Sequence, residues 1–169
     1  NQIKEKYGVL DNEVLLFSPR AITPNYNIDI IIKSLALMRD KGLRIKCLFS
    51  FAFGGEYYDS LKRLVEKLEL EDRVIWLGRL SYEEMADHYN GADIILSVPT
   101  SDSSPKSVYE AMFCKKPVIV SDIPWASEIL SSSDCIRVAP QSASCLSQAV
   151  ISILDNPKHG ANLAESAYQ

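Results

Sequence analysis

The chain has 169 residues, 47% of them hydrophobic, and a formal charge of −4. That length and apolar share suit one domain with a sizeable core, and the acidic balance excludes a general nucleic-acid binder. No run of about 18 apolar residues occurs, so no membrane span is expected, and no signal-peptide pattern opens the chain. Cys47, Cys114, Cys135 and Cys145 lie in or beside apolar segments without metal-binding spacing, and read as reduced core thiols of a cytosolic protein. The only histidines, His88 and His159, are expected on helix surfaces, so no metal site is expected.

Asn1 to Tyr7 reads as a short helix, and Glu13 to Phe17 as a first strand ending in Ser18-Pro19-Arg20. From about Asn27, the spacing of Ile28, Ile31, Ile32, Leu35 and Met38 predicts an amphipathic helix that stops at Lys41-Gly42. Arg44 to Phe51 reads as a second strand, and Gly54-Gly55 breaks the chain before a helix carrying Tyr58, Leu61, Leu64, Val65 and Leu68 on one face. A strand follows over Arg73 to Leu77, then a helix over Ser81 to Tyr89 opened by a Ser81/Glu84 capping box. Asp93 to Val98 is the fourth strand. A polar loop with Asp102 follows it, and a helix is expected to open near Pro105, with Ser104 as N-cap and Pro105 in the first turn. Pro117 to Val120 and Cys135 to Val138 are further strands, separated by a short helix over Pro124 to Leu130. Helices from Ser142 to Leu154 and from Pro157 onward close the chain, with Asp155-Asn156 as the break.

Six apolar strands alternating with helices predict a doubly wound α/β fold, Rossmann-like, with a parallel six-stranded sheet and helices on both faces. Ligands of such sheets bind beyond the carboxyl ends of the strands where the strand order reverses. An order of 3-2-1-4-5-6 puts Arg20, after strand 1, and Asp102, after strand 4, on either side of that crevice. The loop at Ser103 and Ser104 aims free backbone N–H groups and the positive end of a helix at the same place, which favours an anion such as phosphate. An arginine grips a diphosphate through two N–H groups at once. Glu110 sits among apolar neighbours on that helix, so its carboxylate needs hydrogen-bond donors from protein or ligand. The sequence lacks G-x-G-x-x-G, the P-loop motif and G-x-S-x-G, which disfavours NAD, FAD, P-loop and serine-hydrolase chemistry. Arg20 at the end of strand 1 likewise rejects a phosphorelay receiver.

Asp102 to Glu110, then Ala111-Met112, then Lys116-Pro117-Val118-Ile119-Val120, resembles the E-x7-E signature of the family-4 retaining glycosyltransferases of the GT-B fold. Spacing alone carries little, because 22 acidic residues in 169 generate several such pairs by chance. The weight lies in the context of strand, loop, helix, Glu-Ala-Met and Pro-Val strand. Arg20, Leu77-Gly78, Ala92-Asp93 and Leu154-Asp155-Asn156-Pro157 resemble the family less specifically.

The resemblance implies that residues 1–169 form the C-terminal, nucleotide-sugar-binding domain of a hexosyltransferase, with an N-terminal acceptor domain outside the chain. It implies a UDP-, GDP- or ADP-sugar donor, no bound metal, and service in glycan or glycoconjugate synthesis. The acceptor, a sugar or lipid-linked glycan, would reach the site through the missing domain, as would any peripheral contact with the inner face of the membrane. Glu110 would take the ribose hydroxyls, Asp102 would stand where the family's first Glu contacts the transferred sugar, and Arg20 would bind the diphosphate. Ser103 and Ser104 amides would complete the anion site. The family's second basic residue has no counterpart at Asn25 and Tyr26, and Lys106 is the substitute for that charge. The isolated chain is expected to bind nucleotide without transferring sugar.

Each residue has a structural alternative. Arg20 could pair with a nearby acid on the surface, Asp102 could cap a turn, Lys106 and Glu110 could form an i,i+4 pair, and Asn25 could simply lead into a helix. Trp76 and Trp125 read as packing residues. At the level of function, a sugar-nucleotide epimerase of the same fold and a non-catalytic nucleotide-binding module are the alternatives.

Overall fold

A computed structural model describes all residues from Asn1 to Gln169. Its centre is one parallel sheet of β1 (Val14–Ser18), β2 (Ile45–Phe49), β3 (Val74–Trp76), β4 (Ile94–Ser97), β5 (Val118–Ser121) and β6 (Ile136–Val138). The strands lie in the order β3-β2-β1-β4-β5-β6, as expected, and every neighbouring pair is parallel. Leu16, in the middle of β1, stands opposite Cys47 of β2 and Ile94 of β4.

The unalternating apolar runs have a simple cause. Successive strand residues point to opposite faces, and both faces are covered. Leu16, Ile94, Leu96 and Ile119 enter one core with α2 (Ile28–Asp40), α3 (Glu56–Lys67) and α7 (Ala143–Asp155). Leu15, Phe17, Ile95, Val118 and Val120 enter the other, with α1 (Gln2–Lys6), α4 (Tyr82–Gly91), α5 (Lys106–Phe113) and α6 (Pro124–Ile129). A further helix, α8 (Pro157–Tyr168), closes the chain. Each fully buried large aliphatic side chain contributes about 1.5–3 kcal/mol, so the two cores together hold the sheet as a rigid platform for its loops. No helix is long and apolar enough to cross a membrane.

Several local readings hold. The Ser81/Glu84 capping box is formed, with the Glu84 amide donating to the Ser81 hydroxyl and the Ser81 amide donating to the Glu84 carboxylate. Trp125 is buried, and Trp76 packs against Phe49 and edge-on against Tyr58. All four cysteines are free thiols, and burial pushes those of Cys47 and Cys135 upward, the latter to about 11.

Two expectations fail. Helix α5 begins at Lys106, not Pro105, and Pro105 occupies the N-cap position without any side-chain cap. The extended backbone at Pro105, ψ 114°, delays the first helical residue, and the Ser104 hydroxyl points instead to the Tyr109 hydroxyl at 3.5 Å. His88 is buried, not on the surface. Its Nε2 lies 2.8 Å from the Tyr7 hydroxyl and its Nδ1 2.5 Å from the Glu84 carbonyl oxygen, so the docked N-terminal segment covers it. His159 is exposed, as expected.

Candidate functional site

The loops at the carboxyl ends of β1 to β4 surround an open cleft of about 700 Å³ at the reversal of strand order. Arg20 forms its floor. Directly after β1 the chain turns through Pro19, and the Arg20 side chain lies almost fully buried beneath the first turn of α5. One guanidinium nitrogen donates to the Ser107 hydroxyl at 2.7 Å, and the other to the Asp102 carboxylate at 2.5 Å. Its Cζ lies over the Tyr26 ring, 4.2 Å from the ring centre. Three contacts of different kinds therefore fix one cation, and one of them is an anion that a ligand phosphate would have to displace.

Asp102 is equally committed. Its second oxygen accepts from the Ser103 amide at 2.8 Å, an Asx-type contact that holds the loop. Asp102 does not line the cleft, and its carboxylate is engaged by Arg20 and by the Ser103 amide, which is the structural-partner reading.

Arg20, Ser104, Lys106 and Glu110 line the cleft. Ser103 lies beyond the lining and serves Asp102. Asn25 is not brought to the cleft either. Its side-chain amide donates to the Ser101 carbonyl at 3.0 Å and its oxygen accepts from the Ser101 amide and hydroxyl, so it staples the loop after β1 to the loop after β4. Buried Asn27 strengthens that staple, its amide donating to the Val98 carbonyl and the Thr100 hydroxyl.

Lys106 and Glu110 form no ion pair. Glu110 instead accepts a hydrogen bond from the Tyr89 hydroxyl at 2.9 Å. It also lines a smaller apolar side pocket of about 200 Å³ between α4 and α5, walled by Met85, Tyr89, Phe113 and Cys114. Lys106 is exposed at the helix start, where the amides of Lys106 and Ser107 precede any intrahelical acceptor.

Four residues of the site escape the sequence reading: Tyr26, Arg79, Tyr89 and Ser107. Arg79 lines the cleft, is exposed and forms no ion pair, so it adds a second free cation beside Lys106. The signal for it was its place just past Leu77-Gly78, at the carboxyl end of β3. Phe51, also on the cleft, holds a left-handed backbone at φ 56°, and its amide donates to the Gly78 carbonyl at 3.1 Å. A bulky residue in that region is a strained position, typical of loops that serve a site. No group of three or more His, Cys, Asp or Glu side chains converges anywhere in the structure.

Fold and site together define an α/β domain that presents cations and helix-start amides to an anion at its switch point. The whole chain, residues 1–169, matches the family model of the Glycosyl transferases group 1, and the chain belongs to that family. Among curated relatives it is 28% identical over 130 residues to the alpha-monoglucosyldiacylglycerol synthase of Streptococcus pneumoniae, covering 77% of this chain and 29% of that protein. Among solved structures, Anabaena Alr3699/HepE in complex with UDP-glucose superposes with a TM-score of 0.90 at 21% identity, over 99% of this chain and 46% of that one. The C-terminal domain of LpcC, a group 1 glycosyltransferase of Francisella tularensis, matches with a TM-score of 0.80 at 16% identity, over 92% of this chain and 82% of that one. The chain thus spans under a third of that curated relative and under half of the Anabaena protein, and its Rossmann-like fold matches that of the GT-B glycosyltransferases.

Proposed function

We propose that residues 1–169 are the donor-binding domain of a retaining glycosyltransferase that uses a nucleotide-diphospho-sugar. The observation that carries this reading is the Arg20 guanidinium, fixed by Ser107 and Tyr26 beneath the start of α5, with Lys106 and Arg79 free on the same cleft. When the sugar leaves, negative charge grows on the departing diphosphate. The amides of Lys106 and Ser107 are fixed in place for that charge, Lys106 is free to meet it, and Arg20 joins them once Asp102 gives up the guanidinium. Glu110 takes the ribose hydroxyls. Asp102 stands beside Arg20 where it contacts the transferred sugar once a donor displaces it from the guanidinium. No step calls for a bound metal, since the leaving charge meets protein cations.

Group 1 relatives support a nucleotide-sugar donor: the Anabaena protein was solved with UDP-glucose, and the Streptococcus relative is named for a glucosylated diacylglycerol. The acceptor and its domain lie outside this chain, which binds donor and transfers nothing by itself.

A thermal-shift screen of UDP-, GDP- and ADP-sugars tests the reading. Ligand at a hundred times its Kd adds about 2.7 kcal/mol, which raises the Tm of a domain of this size by about 5–10 °C. The variant Arg20→Ala should then bind the selected nucleoside diphosphate at least about tenfold more weakly by calorimetry, the loss of a charge-assisted hydrogen bond. A chain that no nucleotide stabilises is an interaction module, not a donor domain.

A further inference from the structure

Glu110 is a carboxylate with an unequal pair of oxygens. Oε2 accepts from Tyr89, whereas Oε1 has no protein donor, and the residue lines both the cleft and the side pocket. Oε1 is not buried: it opens to the cleft, where a ligand hydroxyl can replace the water that donates to it. The cation one helical turn away, Lys106, does not pair with it. The unused oxygen is therefore available to a ligand.

What decides where that oxygen points is Tyr89. It lies on α4, on the opposite wall from Glu110, and is only 2% exposed. Its ring packs edge-on against Phe17 of β1, centroids 5.4 Å apart at 67°, so the sheet itself fixes the position of the hydroxyl. Burial, and then the neighbouring Glu110 charge, push the phenol well above its ordinary range, so its proton stays on and it always donates. Glutamate has three rotatable side-chain bonds, and an unanchored one samples many rotamers at a cost of about 1–2 kcal/mol to freeze.

We propose that the Tyr89 hydroxyl is a positioning group that anchors Oε2 of Glu110 so that its free oxygen meets a sugar hydroxyl of the nucleotide. The proposal rests on the donor-site reading and deepens it. It names a residue, about two turns into α4, through which the domain distinguishes ribose from deoxyribose. Tyr89 touches no ligand; it acts through Glu110.

The test is a cycle between one hydroxyl on the protein and one on the ligand. Wild type and Tyr89→Phe are titrated calorimetrically with UDP, GDP and ADP, each beside its 2′-deoxy and 3′-deoxy analogues. The variant should bind the preferred ribonucleotide about fivefold to tenfold more weakly, the scale of freezing the Glu110 rotamers on binding. It should bind the analogue lacking the hydroxyl that Glu110 takes with nearly wild-type affinity. Glu110→Gln, measured in the same series, should lose the same discrimination, and it keeps the test available should Tyr89→Phe unfold. Equal loss on ribo and deoxy ligands, or no loss on either, overturns the role of Tyr89 while leaving the donor site standing. Failure of the wild type to bind any of the three nucleotides overturns both.

Discussion

Neutralising Asp102, which is paired with Arg20 behind the lining of the cleft, should tighten nucleotide binding. Arg20 donates to the Asp102 carboxylate at 2.5 Å, and the two side chains are only 10% and 17% exposed, so solvent screens the pair weakly. A diphosphate that takes the guanidinium must displace an anion already there. Asp102→Asn keeps the shape and replaces an ion pair with a hydrogen bond from the same cation to a neutral amide oxygen, a difference of about 1 kcal/mol. Arg20 stays in place, because Ser107 and Tyr26 hold it independently of Asp102. The expected outcome is nucleoside diphosphate affinity raised about fivefold, with affinity for the bare nucleoside unchanged. Calorimetry of both ligands at one fixed salt concentration measures it. In Arg20→Ala the same Asp102 change should have no effect on diphosphate binding, since Asp102 competes only for Arg20. Weaker diphosphate binding by Asp102→Asn would refute the reasoning and make the carboxylate a group that orients the guanidinium instead of one that occupies it.

Two further predictions concern the scaffold. A methyl group at Gly91 would overlap the Ile3 side chain where α1 docks on α4, so Gly91→Ala should destabilise the domain by about 1–3 kcal/mol, read as a lower Tm; an unchanged melting curve would mean α1 is not docked. Burial pushes the Asp134 carboxyl up, but hydrogen bonds from the Ser131 amide and the hydroxyls of Ser131, Ser166 and Ser133 outweigh it and hold its pKa below the ordinary value. That stabilisation is present above the unfolded pKa and is lost as pH falls through the depressed one. The stability gap between wild type and Asp134→Asn should therefore be widest near pH 7 and close below about pH 4, and denaturant unfolding at several pH values that shows a constant gap would contradict it.

The parallel sheet was legible because a strand buried on both faces must be apolar throughout, and β1, β4 and β5 announce themselves in that way. The switch point followed from strand order, and with it the meeting of Arg20 and Asp102, residues 82 positions apart. What stayed hidden are contacts that depend on which side chain a tertiary neighbour prefers. Asn25 matched a place where the family carries charge, yet an amide has a donor and an acceptor, and the Ser101 backbone and hydroxyl offer partners for both. His88, expected on a helix surface, is buried. Helical spacing argued for that: Met85, His88, Tyr89 and Ala92 form an i, i+3, i+4, i+7 stripe, and His88, Tyr89 and Ala92 are buried. Tyr89 lies on the same stripe, so its ring was destined for the core. Its hydroxyl then needed a partner, and across the narrow gap between α4 and α5 the only acid among the side pocket's walls is Glu110. The pairing of a core tyrosine with a site carboxylate thus follows from two faces each legible alone, whose meeting only the packing of α4 against α5 decides.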